Sequence, residues 1–193
     1  AIGHGEPCFI IAEAGVTHNG DSKFAKKLID AAVEAGADAV KFQTFKAVAL
    51  AAPDAPKAPY QIKTTTKAES QFEMLSRLEL SAQDHRTLMN YCAKQGILFL
   101  STPFDEQSAD LLDELGVQAF KIPSGELNNI PFLIRVAKKK KPMILSTGMS
   151  FLKEVAVAVE ALRRNGMRQF ALLHCVSDYP ADPRDANLKA MDV

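Results

Sequence analysis

The sequence predicts an α/β protein of the (β/α)8, TIM-type barrel class, with about six β/α units falling within its 193 residues. Three observations predict it. Six short apolar stretches, FIIAEAG, DAVKFQT, ILFLSTP, QAFKIPSGE, MILSTG and FALLHC, alternate with amphipathic helical patterns along the chain. Their apolar parts are continuous rather than alternating, as parallel strands covered by helices require. Each stretch ends on polar or charged residues, and a barrel collects its chemistry at the C-terminal ends of its strands. The rival, an open doubly wound sheet, usually carries G-x-G-x-x-G after its first strand, and EAGVTHNG has the wrong spacing.

After the first strand, residues 21–35 place Phe24, Leu28, Ala32 and Ala35 at helical spacing, and Gly36 ends the helix. The second strand follows at once. Residues 46–80 break the rhythm: they are rich in alanine and proline (Pro53, Pro56, Pro59), then polar, then helical around Phe72, Leu75 and Leu78. A connection this long is usually functional, and it is read as a lid over the rim. Ser81 and Asp84 form an S-x-x-D capping box opening a helix with Leu88, Met89 and Cys92. A helix over 105–115 carries Leu111, Leu112 and Leu115 and stops at Gly116, and another near 130–139 ends in Lys138 to Lys141. Those four lysines complement the helix dipole on the rim opposite the expected site, which argues against a polyanion site. The last full helix, 151–164, carries Val155, Val159 and Leu162, and NLKAMDV after the sixth strand reads as the start of another.

Composition limits the function classes. With 47% hydrophobic and 24% charged residues, the chain can bury one substantial core, so residues 1–193 are expected to form one domain. Lys plus Arg and Asp plus Glu both number 23, which removes any global charge argument for nucleic acid or an anionic membrane and favours a small-molecule partner. The apolar runs fall short of the roughly 18 residues of a membrane helix, and a cytoplasmic location is expected. Cys8, Cys92 and Cys175 are widely spaced without CxxC and read as buried free thiols. A closed barrel needs eight units and typically about 250 residues, so a further C-terminal portion is expected.

The strand ends define the candidate site. Period two puts Glu13 with Ile11, Gln43 with Lys41, and Lys121 with Ala119 on common faces. An inward-facing lysine is costly unless it meets an anion or a carboxylate, so Lys41 and Lys121 imply a negatively charged ligand or a salt bridge to Glu13 or Glu126. Hydroxyls and glycines at three strand ends, Ser101-Thr102, Ser124-Gly125 and Ser146-Thr147-Gly148, with two ammonium groups, suit a phosphate or carboxylate cradle.

Taken in order, AEAG (12–15), HNGD (18–21), AGADAVKFQTF (35–45), STPFD (101–105), KIPSGELNN (121–129), STGM (146–149), LLHC (172–175) and YP (179–180) resemble the N-acetylneuraminate (sialic acid) synthase family over nearly the whole chain. The resemblance implies an enzyme that condenses phosphoenolpyruvate with an N-acyl amino-sugar aldehyde, giving a nine-carbon 2-keto acid and phosphate. Relatives include legionaminic, pseudaminic and spore-coat polysaccharide synthases. It implies that Lys41, Thr102, Lys121, Ser124 and Ser146 hold phosphoenolpyruvate, that Glu13, Glu126 and Gln43 are catalytic, and that Tyr179 contacts the sugar. Ser177 and Thr17 stand where relatives often carry Asn. The family's divalent ion, manganese or magnesium, uses two histidines expected downstream of this chain, so no metal ligand is expected within it. His174 is expected to make a supporting hydrogen bond, His18 to reach substrate from the first loop, and His85 to lie on the surface. A C-terminal antifreeze-like module that completes a homodimer is expected beyond residue 193, and this chain alone is expected to be inactive. The alternatives are another phosphoenolpyruvate-dependent 2-keto sugar acid synthase and a noncatalytic barrel scaffold.

Overall fold

The computed structural model describes residues 2–58, 61–62 and 69–192. They fall into two compact units, Ala1–Ala55 with Glu69–Val117, and Pro56–Ala68 with Gln118–Val193.

In the first unit β1 (Ile11–Gly15), β2 (Ala39–Thr44) and β3 (Leu98–Pro103) form a parallel sheet in that order. Glu13 pairs with Lys41, Lys41 with Leu100, and Gln43 with Thr102. Side-chain alternation therefore puts Glu13, Lys41, Gln43 and Thr102 on one face, and Val40, Phe42, Thr44, Phe99 and Ser101 on the other. The second face is packed: Phe42 is fully buried and stacks on Phe99 with centroids 5.7 Å apart.

Helix α1 (Ser22–Glu34) is capped by Asp21, whose side chain accepts from the Lys23 N–H, and it ends before Gly36. It buries Ala25, Ile29 and Ala32. The predicted stripe was offset at its start: Phe24 is solvent-facing, Ala25 and Ile29, each one position on from Phe24 and Leu28, meet the core, and Ala32 is buried as predicted. Residues 46–80, expected to be a lid, contribute α2 (Ala47–Leu50) and α3 (Gln71–Leu78). Phe45, Met74 and Leu78 are buried together against Val16, Leu50, Leu75 and Phe104, so both ends of this segment belong to a hydrophobic cluster. Residues 59–60 and 63–68, with Pro59 and the middle of the expected lid, lie outside the described residues. The predicted Ser81/Asp84 capping box opens α4 (Ala82–Gln95), which ends at Gly96 in the left-handed region, φ 75°. Its buried stripe is His85, Leu88 and Cys92. Helix α5 (Glu106–Leu115) starts on Asp105, which accepts from the Ser108 N–H at 2.7 Å.

In the second unit β4 (Phe120–Ile122), β5 (Met143–Ser146) and β6 (Phe170–Leu173) form another parallel sheet in sequence order. Lys121 pairs with Ile144, which puts Ser146, two residues on, on the same face as Lys121. Helix α6 (Ile130–Ala137) is capped by Asn129 and buries Phe132, Leu133, Val136 and Ala137, while α7 (Leu152–Arg164) buries Ala158 and Leu162. The lysine run follows α6, with Lys138 at its C-cap and the Lys141 ammonium over the Phe120 ring. After β6 come two short 3-10 turns, Pro183–Asp185 and Leu188–Asp192, where an α-helix was expected to begin. Among the described residues no helix is long and apolar enough to cross a membrane.

Candidate active site

On the open face of the first sheet the Lys41 ammonium is paired with the Glu13 carboxylate. This is the salt bridge the sequence allowed as one way to compensate an inward lysine. The Lys41 side chain is 12% exposed against 54% for Glu13, so the carboxylate keeps access to solvent while the cation is sheltered. Gly15 holds this corner: it has φ 51°, and a Cβ there would stand 3.1 Å from Glu13 Oε1 and 3.8 Å from Gln43 Nε2. Glu13 and Gln43 thus both flank Gly15. Thr102 is 2% exposed, and its Oγ1 is buried without a hydrogen-bond partner among the described residues. An orphaned buried hydroxyl costs about 1–3 kcal/mol, a cost accepted where a ligand completes the bond.

The opposite face of this sheet revises three sequence expectations. His85 is not on the surface but 1% exposed, with Nε2 2.8 Å from Thr44 Oγ1 and Nδ1 2.9 Å from the Ser81 carbonyl oxygen. It sits at a helix position whose neighbours Leu88 and Cys92 are buried, so the helical stripe contained the signal. His18 is fully buried rather than presented to substrate; its Nδ1 accepts the Gly20 N–H at 3.0 Å, its ring lies 6.1 Å from Phe42, and its Nε2 has no partner among the described residues. The HNGD motif is a loop anchor in this sense: His18 is buried, Asn19 and Gly20 have positive φ, and Asp21 caps α1. Burial holds His18 and His85 below the usual histidine range, with their mutual repulsion adding to it for His18. Ser101 bonds Thr44 Oγ1 at 2.7 Å and points away from the face that carries Thr102, so it leaves the hydroxyl set.

In the second unit the Lys121 ammonium, on a residue 6% exposed, donates to Ser146 Oγ at 2.6 Å and to the Ile122 carbonyl at 2.7 Å. Beside it Ser124 Oγ accepts the Gly148 N–H at 3.0 Å and lies 3.8 Å from Cys175 Sγ. Gly148 has no room for a side chain, since a Cβ would fall 2.4 Å from Ser177 Oγ, 2.9 Å from Ser124 Oγ and 3.1 Å from the Cys175 carbonyl. The three predicted residues Lys121, Ser124 and Ser146 are therefore brought together, and the structure adds Gly148, Cys175 and Ser177. Burial raises the Cys175 thiol, but hydrogen bonds from Ser146, Ser124 and the backbone of Thr147 and Gly148 outweigh it and set the group below the ordinary thiol value. A place that favours a thiolate is one that favours an anion. By contrast burial pushes the Cys92 thiol up to about 12, and Cys8 is exposed rather than buried.

Glu126 closes the short 3-10 turn Ser124–Glu126 and accepts from Asn129 Nδ2 at 2.8 Å. Asn129 in turn caps α6, so SGELNN is partly a helix-start motif. Tyr179 is 68% exposed and precedes a cis peptide bond to Pro180. His174 places Nε2 2.7 Å from the Ala186 carbonyl, where the imidazole N–H donates. Among the described residues no three His, Cys, Asp or Glu side chains converge as a metal site would require.

The described strands are all parallel, in keeping with the α/β barrel class read from the sequence. A solved N-acetylneuraminic acid synthetase from Leptospira borgpetersenii superposes with a TM-score of 0.83 at 34% identity, covering 97% of this chain and 60% of that one. The N,N'-diacetyllegionaminic acid synthase of Campylobacter jejuni is 53% identical over 184 residues, 94% of this chain and 55% of its own length. The synthase of the same name from Legionella pneumophila is 53% identical over 188 residues, 95% of this chain and 53% of its own. The chain thus spans about half the length of these curated relatives. A model of the NeuB family matches residues 28–193, and with these likenesses it shows that the chain belongs to the NeuB family.

Proposed function

We propose that the full-length protein condenses phosphoenolpyruvate with an N-acyl amino-sugar aldehyde, forming a nine-carbon 2-keto sugar acid and releasing phosphate. The observation that carries this reading is the second unit's cradle: a buried ammonium on Ser146, a serine hydroxyl held by the Gly148 amide, and a glycine where no Cβ fits. Such donors suit a small, highly charged anion. The orphaned Thr102 hydroxyl and the Lys41–Glu13 pair support the same reading from the first unit.

Lys121, Ser124 and Ser146 hold the phosphoenolpyruvate anion, and Lys41 and Thr102 take part in binding it. The C3 carbon attacks the aldehyde carbon, whose oxygen takes up a proton and becomes a hydroxyl; water adds at C2 and loses one proton, and as the C2–O bond breaks phosphate leaves with its electron pair while the new C2 hydroxyl gives up its remaining proton to become the keto group. Glu13, solvent-accessible and paired to a cation, and Glu126 are suited to these proton transfers, with Gln43 orienting Glu13. Tyr179 faces the sugar. The divalent ion that the family resemblance implies is proposed for the full-length enzyme. Because the two 53% identical relatives are N,N'-diacetyllegionaminic acid synthases, a di-N-acylated acceptor is the first to try.

The test incubates full-length protein with phosphoenolpyruvate and a panel of unphosphorylated N-acyl amino sugars, following phosphate release and the 2-keto acid by mass spectrometry. Product with at least one of them is expected. Turnover only with phosphorylated aldoses would replace this reading by another synthase, and no binding of phosphoenolpyruvate would replace it by a scaffold.

A further inference from the structure

We propose that the buried chain Ser101–Thr44–His85 is a positioning device that fixes the C-terminal ends of β2 and β3, and with them the aim of Gln43 and Thr102. The proposal rests on the function proposed above for its catalytic meaning, but its geometry stands alone. Thr44 follows Gln43 on β2, and Ser101 precedes Thr102 on β3. Each link therefore sits one residue from a group on the open face, pointing the opposite way. The exposures of Ser101, Thr44 and His85 are 0%, 3% and 1%.

The direction of every bond is fixed by one end. The Ser81 carbonyl can only accept, so His85 Nδ1 carries the proton. In the neutral ring Nε2 is then an acceptor, and the Thr44 hydroxyl must donate to it. Thr44 Oγ1 in turn accepts from Ser101. Ser81 is itself the capping residue of α4, bonded to Asp84, so the chain runs from a helix start through the imidazole to two strand ends. A chain with one allowed polarity and no solvent to replace a lost partner holds its members in a single arrangement.

Burial keeps the imidazole neutral. The Ser81 and Gln43 carbonyls and the Asp84 carboxylate on its own helix favour the proton, Lys46 at the end of β2 opposes it, and His18 on the β1–α1 loop faces the same space. The net direction is below the usual histidine range.

The test uses full-length protein carrying Thr44→Val, which keeps the shape and removes the hydroxyl, and Thr44→Ser, which keeps the hydroxyl. Nitrogen-15 NMR of the wild type should show His85 protonated on Nδ1 with Nε2 accepting a hydrogen bond, and Thr44→Val should shift the Nε2 resonance to that of an acceptor without a partner. Hydrogen exchange of the Gln43 and Thr102 amides should speed up at least about tenfold in Thr44→Val, equivalent to about 1.4 kcal/mol. The KM for phosphoenolpyruvate should rise by about as much, with kcat changed less. Thr44→Ser should restore all three readings to within about twofold. The device is refuted if the other ring tautomer is found, if Thr44→Val loses stability with exchange and KM unchanged, or if Thr44→Ser behaves like Thr44→Val. If the wild type does not turn over phosphoenolpyruvate, the functional reading fails, and exchange and NMR still decide the clamp.

Discussion

Replacing Lys121 by methionine separates binding from folding. The ammonium is nearly inaccessible and donates to Ser146 Oγ at 2.6 Å and the Ile122 carbonyl at 2.7 Å. Each charge-assisted bond contributes about 1.5–3 kcal/mol, but burying the cation costs several kcal/mol, so the change in unliganded stability should be small, within about 2 kcal/mol either way. A dianion changes the balance: one charge pair at about 4 Å contributes about 4 kcal/mol at an effective dielectric of 20. Loss of the ammonium should therefore weaken phosphoenolpyruvate by roughly a hundredfold to a thousandfold, since each 1.4 kcal/mol is tenfold. Titration calorimetry on full-length protein measures the affinity, and urea unfolding without ligand measures stability. Affinity within about threefold of wild type, or a stability loss well above 2 kcal/mol with binding intact, would show that Lys121 is structural and refute the cradle.

Gly148→Ala should fold but bind phosphoenolpyruvate at least about tenfold more weakly, because the new methyl must push Ser124 and Ser177 aside; unchanged calorimetry would rule out Ser124 as a ligand. Gly20→Ala should lose about 3 kcal/mol of stability by urea unfolding, since it combines φ 77° with a Cβ placed 2.4 Å from the Arg77 carbonyl oxygen, and a loss under about 1 kcal/mol would mean the loop gives way. Stability should also depend on acid through His18 and His85. Both are held below 6.5 in the folded state, so above 6.5 they cost nothing; as pH falls below 6.5 the unfolded chain takes up their protons first and stability drops until the folded values are reached. Melting temperatures from pH 8 to pH 5 check this, and His85→Phe should flatten the slope; an equal slope in that variant would assign the loss to other groups.

Much of the fold was readable because parallel strands and capped helices leave local marks. The Ser81/Asp84 box, Asp21 before α1 and the glycines after the helices set boundaries by hydrogen-bond chemistry confined to a few residues. Lys121, Ser124 and Ser146 could be grouped because strand parity and strand ends do the grouping. What escaped was which face of the sheet a buried polar residue takes. Ser101 and Thr102 are adjacent hydroxyls, yet alternation sends one under the sheet and leaves the other on the open face. His85 was read by its polarity, although its spacing from Leu88 and Cys92 already placed it on the inner stripe. His18 was read as substrate-facing, and the need for Gly20 beside it, a carbonyl of α3 more than fifty residues along the chain, is invisible to any local pattern.

The segment between β2 and α4 is clasped at its base. The Gln71 N–H donates to the Ala55 carbonyl at 3.2 Å, and Glu79 takes both the Ala47 N–H at 2.6 Å and the Lys46 ammonium at 3.2 Å. With entry and exit tied together, the chain between them is topologically a cassette. Doubling its length would add only about 0.6 kcal/mol of closure entropy, so natural variation can be written there while the sheet residues on either side keep their register.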